Sequence, residues 1–196
     1  MITPRQLQIK RVFDVLFALF LLPILIVPIG ILIVLARLDT GASGLFLQER
    51  IGQYGKPFKI YKIRSLKQGV HRLGHMDYHA TSFGGFIRVH KLDELPQLFN
   101  VIKGEMSFVG PRPDLPGFAD TLEGEDRIIL DIKPGITGPA TLKYKDEELI
   151  LAKQLDPENY NRTVIWKDKV EINKRYVKNY SFSLDLHILL KSIKNA

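Results

Sequence analysis

Residues 15–36 carry no charged side chain and are built almost entirely from Leu, Ile, Val, Phe and Ala. At 22 residues the run is long enough to cross a hydrocarbon core, which takes about 20. A single spanning helix is the first expectation, and two details oppose it. Pro23 and Pro28 fall inside the run; each removes a backbone donor and crowds the carbonyl four residues back, so a bend or break is expected near the middle. The flanks are also basic on both sides, with Arg5, Lys10 and Arg11 before and Arg37 after. A simple span would put one cationic cluster on the wrong face of the membrane. A helix that enters, bends at a proline and returns keeps both on one surface, and that re-entrant form is favoured. A cleaved signal peptide is disfavoured by the length of the run and the lack of a small-residue cleavage site.

The 160 residues after Ala36 suffice for one compact domain with its own core. There is no cysteine, which rules out thiol nucleophiles, thiolate metal sites and disulfides and is compatible with a reducing compartment. A formal net charge of +7 suits anionic lipid headgroups or phosphorylated substrates. Nucleic acid is set aside as a partner, because no recognition-helix motif, RNA-binding sheet signature or long basic tract is present.

Past a Gly-containing turn at residues 39–44, residues 45–52 read as extended. A Gly-Lys-Pro turn follows, and then Phe58-Lys59-Ile60-Tyr61-Lys62-Ile63-Arg64 alternates with the period of a half-buried strand. A polar loop over residues 68–82 leads through Gly84-Gly85 into a short helix near residues 86–89. Lys133-Pro134-Gly135-Ile136-Thr137-Gly138-Pro139 reads as a turn, and the highly charged residues 145–162 as a surface helix and loop. The tail from Trp166 to Ile193 has the apolar spacing of two helices parted at Asn179-Tyr180-Ser181. The second is amphipathic and basic, suited either to a membrane surface or to the core.

Several familiar motifs fail. Gly52-Gln53-Tyr54-Gly55-Lys56 lacks the spacing of a triphosphate loop, and no dinucleotide fingerprint or Asp-x-Asp pair occurs. His71, His75 and His79 are spaced by four, but Gly74 and the polar surroundings argue against a helix that would gather them around a metal.

The densest chemistry lies in residues 90–113. Leu92, Leu95, Leu98, Phe99 and Ile102 have the spacing of one buried helical face, so a helix is expected after Leu92 and is stopped by Gly104. Asp93 and Glu94 fall in its first turn, where negative charge is favoured, and consecutive helical positions diverge by about 100°, so the two carboxylates can serve different ends. Plain capping chemistry is the simpler reading of such a pair, and Arg112, set between Pro111 and Pro113, could be a surface charge. Together they offer a nucleophile, a metal ligand and an anion clamp.

Six stretches in order make the chain resemble the bacterial sugar transferase family of monotopic polyprenyl-phosphate phosphoglycosyl transferases, small single-domain type. They are Lys10-Arg11-Val12-Phe13-Asp14, Phe46-Leu47-Gln48-Glu49-Arg50-Ile51-Gly52, residues 55–66, residues 92–101, residues 104–113, and Pro134-Gly135-Ile136-Thr137-Gly138. The resemblance implies an α/β (α+β), mostly helical fold. Residues 1–38 would form a re-entrant membrane helix with basic flanks. Residues 39–196 would form one compact cytoplasmic catalytic domain with a small sheet and amphipathic surface helices. It further implies transfer of a sugar-1-phosphate from a UDP-sugar to undecaprenyl phosphate, releasing UMP, through a covalent phosphosugar-enzyme intermediate. Asp93 matches the family nucleophile and Glu94 the carboxylate that holds Mg²⁺. Arg112, Arg88 and Lys59 match basic positions suited to substrate phosphates, and Pro23 and Pro28 stand at the membrane helix break. The implied location is the cytoplasmic face of a bacterial inner membrane, in contact with membrane lipid, and a homodimer is allowed. The chain departs from the family where Val27 and Leu22 precede the prolines in place of Ser. It departs again at Lys133 and residues 139–142, and in the charged residues 145–162, so the sugar is left open. The competing reading is a non-catalytic basic protein that recruits partners to a membrane surface; a multi-pass transporter is excluded by the single apolar segment.

Overall fold

The computed structural model describes residues 2–67, 69 and 79–194. The apolar run lies within one helix, α1 (Pro4–Thr40), opened by a Thr3–Gln6 capping box and closed by Gly41 in the left-handed conformation. Two antiparallel strands follow, β1 (Leu45–Ile51) and β2 (Pro57–Ile63), paired from Leu45 with Ile63 to Ile51 with Pro57. Next come α2 (Ser82–Val89), a 3-10 turn at Leu92–Glu94 and α3 (Gln97–Lys103). Two three-residue strands, β3 (Ser107–Val109) and β4 (Gly135–Thr137), pair in parallel. The rest is helical: α4 (Pro139–Lys143), α5 (Glu147–Leu151), α6 (Pro157–Tyr160), α7 (Trp166–Lys178) and α8 (Phe182–Lys194). The mostly helical α/β expectation agrees with this, down to the hairpin and the paired tail helices. The parallel pair was not expected; its second strand lies inside what reads as a Pro-Gly turn.

The helical backbone of α1 runs through Pro23 and Pro28 without interruption, so the expected break is not a loss of helix. Both prolines sit on the exposed side. Their rings crowd the outer carbonyls, so any bend they impose closes on the opposite face, the one against the domain. That face holds Asp14, Ala18, Leu25, Ile29, Ile33 and Ala36, spaced as one stripe and buried or half-buried along the whole helix. The outer face, including Leu16, Phe20, Val27 and Val34, is apolar and exposed.

Polar side chains pin the N-terminal half of α1. Asp14 is 2% exposed and accepts from Ser107 Oγ at 3.0 Å and the Phe108 amide at 3.1 Å. Arg11 donates to the carbonyls of Val101 and Ile102 at 2.6 and 2.9 Å, at the C-terminus of α3, where the Val101 carbonyl also accepts from the Gly104 amide. Lys10 pairs with the buried Asp185 of α8 at 2.5 Å, and Tyr176 and Tyr180 donate to the same carboxylate. The C-terminal end packs differently, Ala36 against Ile63 and Ile87. There Gly44 passes so close that a Cβ would lie 1.8 Å from the Ile33 carbonyl oxygen. The main core joins the halves: Ala18, Ile60, Leu98, Val101, Met106, Phe108, Val109, Ile132, Val177 and Ile188 form one cluster spanning α1, β2, α3, β3, α7 and α8.

Candidate active site

Lys91 adopts a left-handed conformation (φ 54°) and turns the chain sharply out of α2. Leu92–Glu94 then makes a single 3-10 turn, and Pro96, without an N–H to donate, separates it from α3. The continuous helix expected after Leu92 is therefore two pieces, with both acids in the first. Asn100 of α3, fully buried, locks this unit to the hairpin. Its Oδ1 accepts from the Tyr61 amide at 3.1 Å, and its Nδ2 donates to the Lys59 carbonyl at 2.8 Å.

That lock brings Lys62 over Glu94, with Nζ to Oε1 at 3.0 Å. Arg112 reaches the same carboxylate from the other side, 2.5 Å from Oε1 and 3.5 Å from Oε2. Its loop is held by close backbone approach between β3 and β4, where a Cβ on Gly138 or Gly135 would lie 2.1 Å from Gly110. Burial alone would raise the Glu94 carboxyl, but the Arg112 and Lys62 charges hold it far below the usual carboxylate range. Glu94 in turn raises the Arg112 guanidinium. Asp93, 6% exposed, behaves oppositely: burial pushes it up, and the neighbouring Lys62, Arg88 and Arg112 compensate only in part. Two adjacent acids thus differ in proton affinity.

Glu94 and Arg112 open onto a cavity of about 540 Å³. Leu21 and Leu25 of α1, Leu98, Phe108, Leu189 and Ile193 give it an apolar side, whereas Asp114, Tyr144, Glu147, Lys169 and Asn173 give it a polar one. Burial pushes the Asp114 carboxyl up to about 7 despite Lys169, Arg50 and Arg112 nearby. Burial and the adjacent Arg112 bring Arg50 down to about 10. Among the described residues two buried side-chain nitrogens lack an acceptor, Arg50 Nε and Gln97 Nε2, the latter four residues after Asp93; neither residue lines the cavity.

Among the described residues no three His, Cys, Asp or Glu side chains gather into a metal-ligand set. Glu94 already faces two cations, so it cannot hold a divalent ion in an all-protein cage. One carboxylate edge beside Asp93 fits Mg²⁺ if water and substrate phosphate complete the shell, the usual manner for that ion.

Asp93, Glu94, Arg88 and Arg112 are thus brought together. Asp93 does not itself line the cavity; Glu94 and Arg112 do. Lys59 is exposed on β2 opposite Glu49, and Lys62 is the strand's cation at the acids. Strand alternation supplied the signal for this, since Lys59 and Lys62 fall on opposite faces. Arg50, Asn100, Asp114 and Lys169 went unrecognised as site residues. His71 and His75 lie outside the described residues, so the histidine stripe with His79 is not described. The charged residues 145–162 are more than surface: Leu151 is fully buried, and Glu147 and Glu148 line the cavity.

The model of a family described as bacterial sugar transferase matches residues 5–196. A Bacillus subtilis (strain 168) protein named as a candidate undecaprenyl-phosphate N-acetylgalactosaminyl 1-phosphate transferase is 45% identical over 128 residues, 63% of this chain and 72% of its own. The sugar transferase EpsL of the same organism, itself uncharacterized, is 36% identical over 95% of this chain and 86% of its own. The UDP-glucose:undecaprenyl-phosphate glucose-1-phosphate transferase of Escherichia coli (strain K12) is 33% identical over 94% of this chain and 39% of its own. With the match extending from the first turn of α1 to the end of α8, this chain belongs to the bacterial sugar transferase family.

Proposed function

We propose that the protein is a phosphoglycosyl transferase that moves a sugar-1-phosphate from a UDP-sugar to undecaprenyl phosphate and releases UMP. The observation that carries this reading is the cavity in which Glu94 and Arg112 meet an apolar wall from α1 and α8. A lipid phosphate with its hydrocarbon tail asks for cations at one point and apolar surface at another, and the diphosphate of a nucleotide-sugar donor asks for the same cations. The activities after which the relatives are named point to the same reaction.

The Asp93 carboxylate oxygen attacks the phosphorus that bears the sugar, and the bridging P–O bond to the uridylyl phosphate breaks, so UMP leaves with that electron pair. The resulting acyl phosphate on Asp93 is attacked by a phosphate oxygen of the polyprenyl phosphate, the carboxylate departs, and a diphosphate is formed. Arg112 offers a planar pair of donors to the phosphate oxygens, exchanging them for Glu94. Lys62 and Arg88 offset the negative charge that gathers around Asp93. Burial keeps water from competing for the acyl phosphate. Mg²⁺ held by Glu94 and substrate phosphate would offset charge on the diphosphate and the leaving UMP.

The membrane placement follows from α1. Its buried stripe runs along the domain at both ends, so the helix lies against the protein while its outer apolar face meets lipid in one leaflet. The basic flanks at both ends of the apolar run support the cytoplasmic side of a bacterial inner membrane as that leaflet. Asp93→Asn, which keeps shape and removes the nucleophile, should abolish UMP release from UDP-sugars in the presence of undecaprenyl phosphate while leaving membrane binding intact. Undiminished release by Asp93→Asn would refute the reading in favour of a different nucleophile, and no release by the wild type from any UDP-sugar would favour a recruitment protein.

A further inference from the structure

The polar end of the cavity has a feature that phosphate transfer leaves unassigned. Trp166, Lys169 and Asn173 are spaced by three and four along α7 and line it as one stripe. Asn173 is 3% exposed, and its Oδ1 has no hydrogen-bond partner. Thr141 on α4 lines the same cavity, and its Oγ1 is likewise buried and unpartnered. A buried polar atom left unpaired loses its hydrogen bonds to water and gains none in return. Two on one cavity wall mark the place where a ligand supplies the missing partners.

We propose that Asn173 and Thr141 form the sugar-selecting subsite of the transferase, taking the hydroxyl or acylamino groups of a neutral hexose. This rests on the sugar-phosphate transfer proposed above. A prenyl chain has nothing to offer an amide oxygen or a hydroxyl, so the apolar wall is the place for it. The charges nearby argue for neutrality of the sugar. Lys169, the cation of the α7 stripe, is bound by both oxygens of Glu147, at 2.7 and 2.6 Å, so the stripe offers no cation to pair with a sugar carboxylate. The uridine of the donor carries polar groups as well, and the test separates it from the sugar.

Purified full-length protein is assayed for UMP release with undecaprenyl phosphate and UDP-glucose, UDP-galactose, their 2-acetamido counterparts and UDP-glucuronic acid. Wild type should use a neutral donor best and the glucuronic acid donor least. Asn173→Ala and the isosteric Thr141→Val should each raise KM for the preferred donor and compress its advantage over the next neutral donor by at least about fivefold, as loss of one hydrogen bond implies. The Ki of UMP, which lacks the sugar, should stay unchanged. Donor ratios that do not move in either variant would overturn the subsite, and so would a UMP Ki that rises in step with KM, which would give these residues to the nucleotide. Thr141→Val keeps the test open if Asn173→Ala fails to fold. Absence of release by the wild type from every donor overturns the transferase reading itself, whereas release with unmoved ratios overturns only the subsite.

Discussion

At the scale of single residues, the site is a contest between burial and charge that ends differently at neighbouring carboxylates. Glu94 is held ionised by Arg112 and Lys62, whereas burial dominates at Asp93 and Asp114. Arg112→Lys keeps the charge but loses the planar pair of donors. It should lower kcat/KM for UMP release by at least about tenfold, the effect of one charge-assisted hydrogen bond, with little change in Tm; unchanged kinetics would mean the fork is not used. Asp114 gives a second expectation. Its folded pKa of about 7 lies above the 3.8 of an ordinary aspartate, so the folded chain holds that proton more tightly than the unfolded one. The stability this contributes is present below the lower value and is lost as pH rises through 7. The Tm of the wild type should therefore fall relative to that of Asp114→Asn between pH 5 and pH 8, as scanning calorimetry would read. Asp93, Glu94 and Arg112 could be picked out as candidates because they sit in one run, residues 90–113, that ends in Pro-Arg-Pro. Lys62, Asn100 and Asn173 were not, because their roles depend on contacts with residues dozens of positions away, which spacing alone does not encode.

At the scale of elements, α1 illustrates how composition and packing divide the labour. Its apolar outer face could be read directly, and so could the two prolines. That the helix would continue through both prolines could not, because neighbouring packing decides whether a proline ends a helix or only bends it. The polar residues at its start are tertiary anchors. Asp14→Ala strands the Ser107 hydroxyl and the Phe108 amide in a buried place and should destabilise the fold by about 1–3 kcal/mol, measured by denaturant unfolding in detergent. A variant as stable as the wild type would show that α1 is held by its apolar stripe alone. The parallel β3–β4 pair escaped sequence reading since three-residue strands carry no period, and its purpose is seen only in three dimensions, where it fixes the loop that carries Arg112.

At the scale of the whole molecule, both ends of α1 pack on one domain, so both should face one side of a membrane. The absence of native cysteine makes this directly measurable. Single cysteines at Arg5 and Ser43 should both react with an impermeant maleimide in inverted membrane vesicles and neither in intact spheroplasts; labelling from opposite sides would establish a span. The cavity then lies where a lipid-borne phosphate can reach Arg112 while its tail runs along α1 and α8. As the nucleophile, the Asp93 carboxylate bonds to phosphorus in the course of turnover. Intact-protein mass spectrometry after addition of UDP-sugar without acceptor reads that bond. The wild type should gain the mass of one sugar phosphate, a gain absent in Asp93→Asn and discharged by undecaprenyl phosphate; a wild-type mass that stays unchanged under conditions where UMP is released with acceptor present would show that no such bond forms.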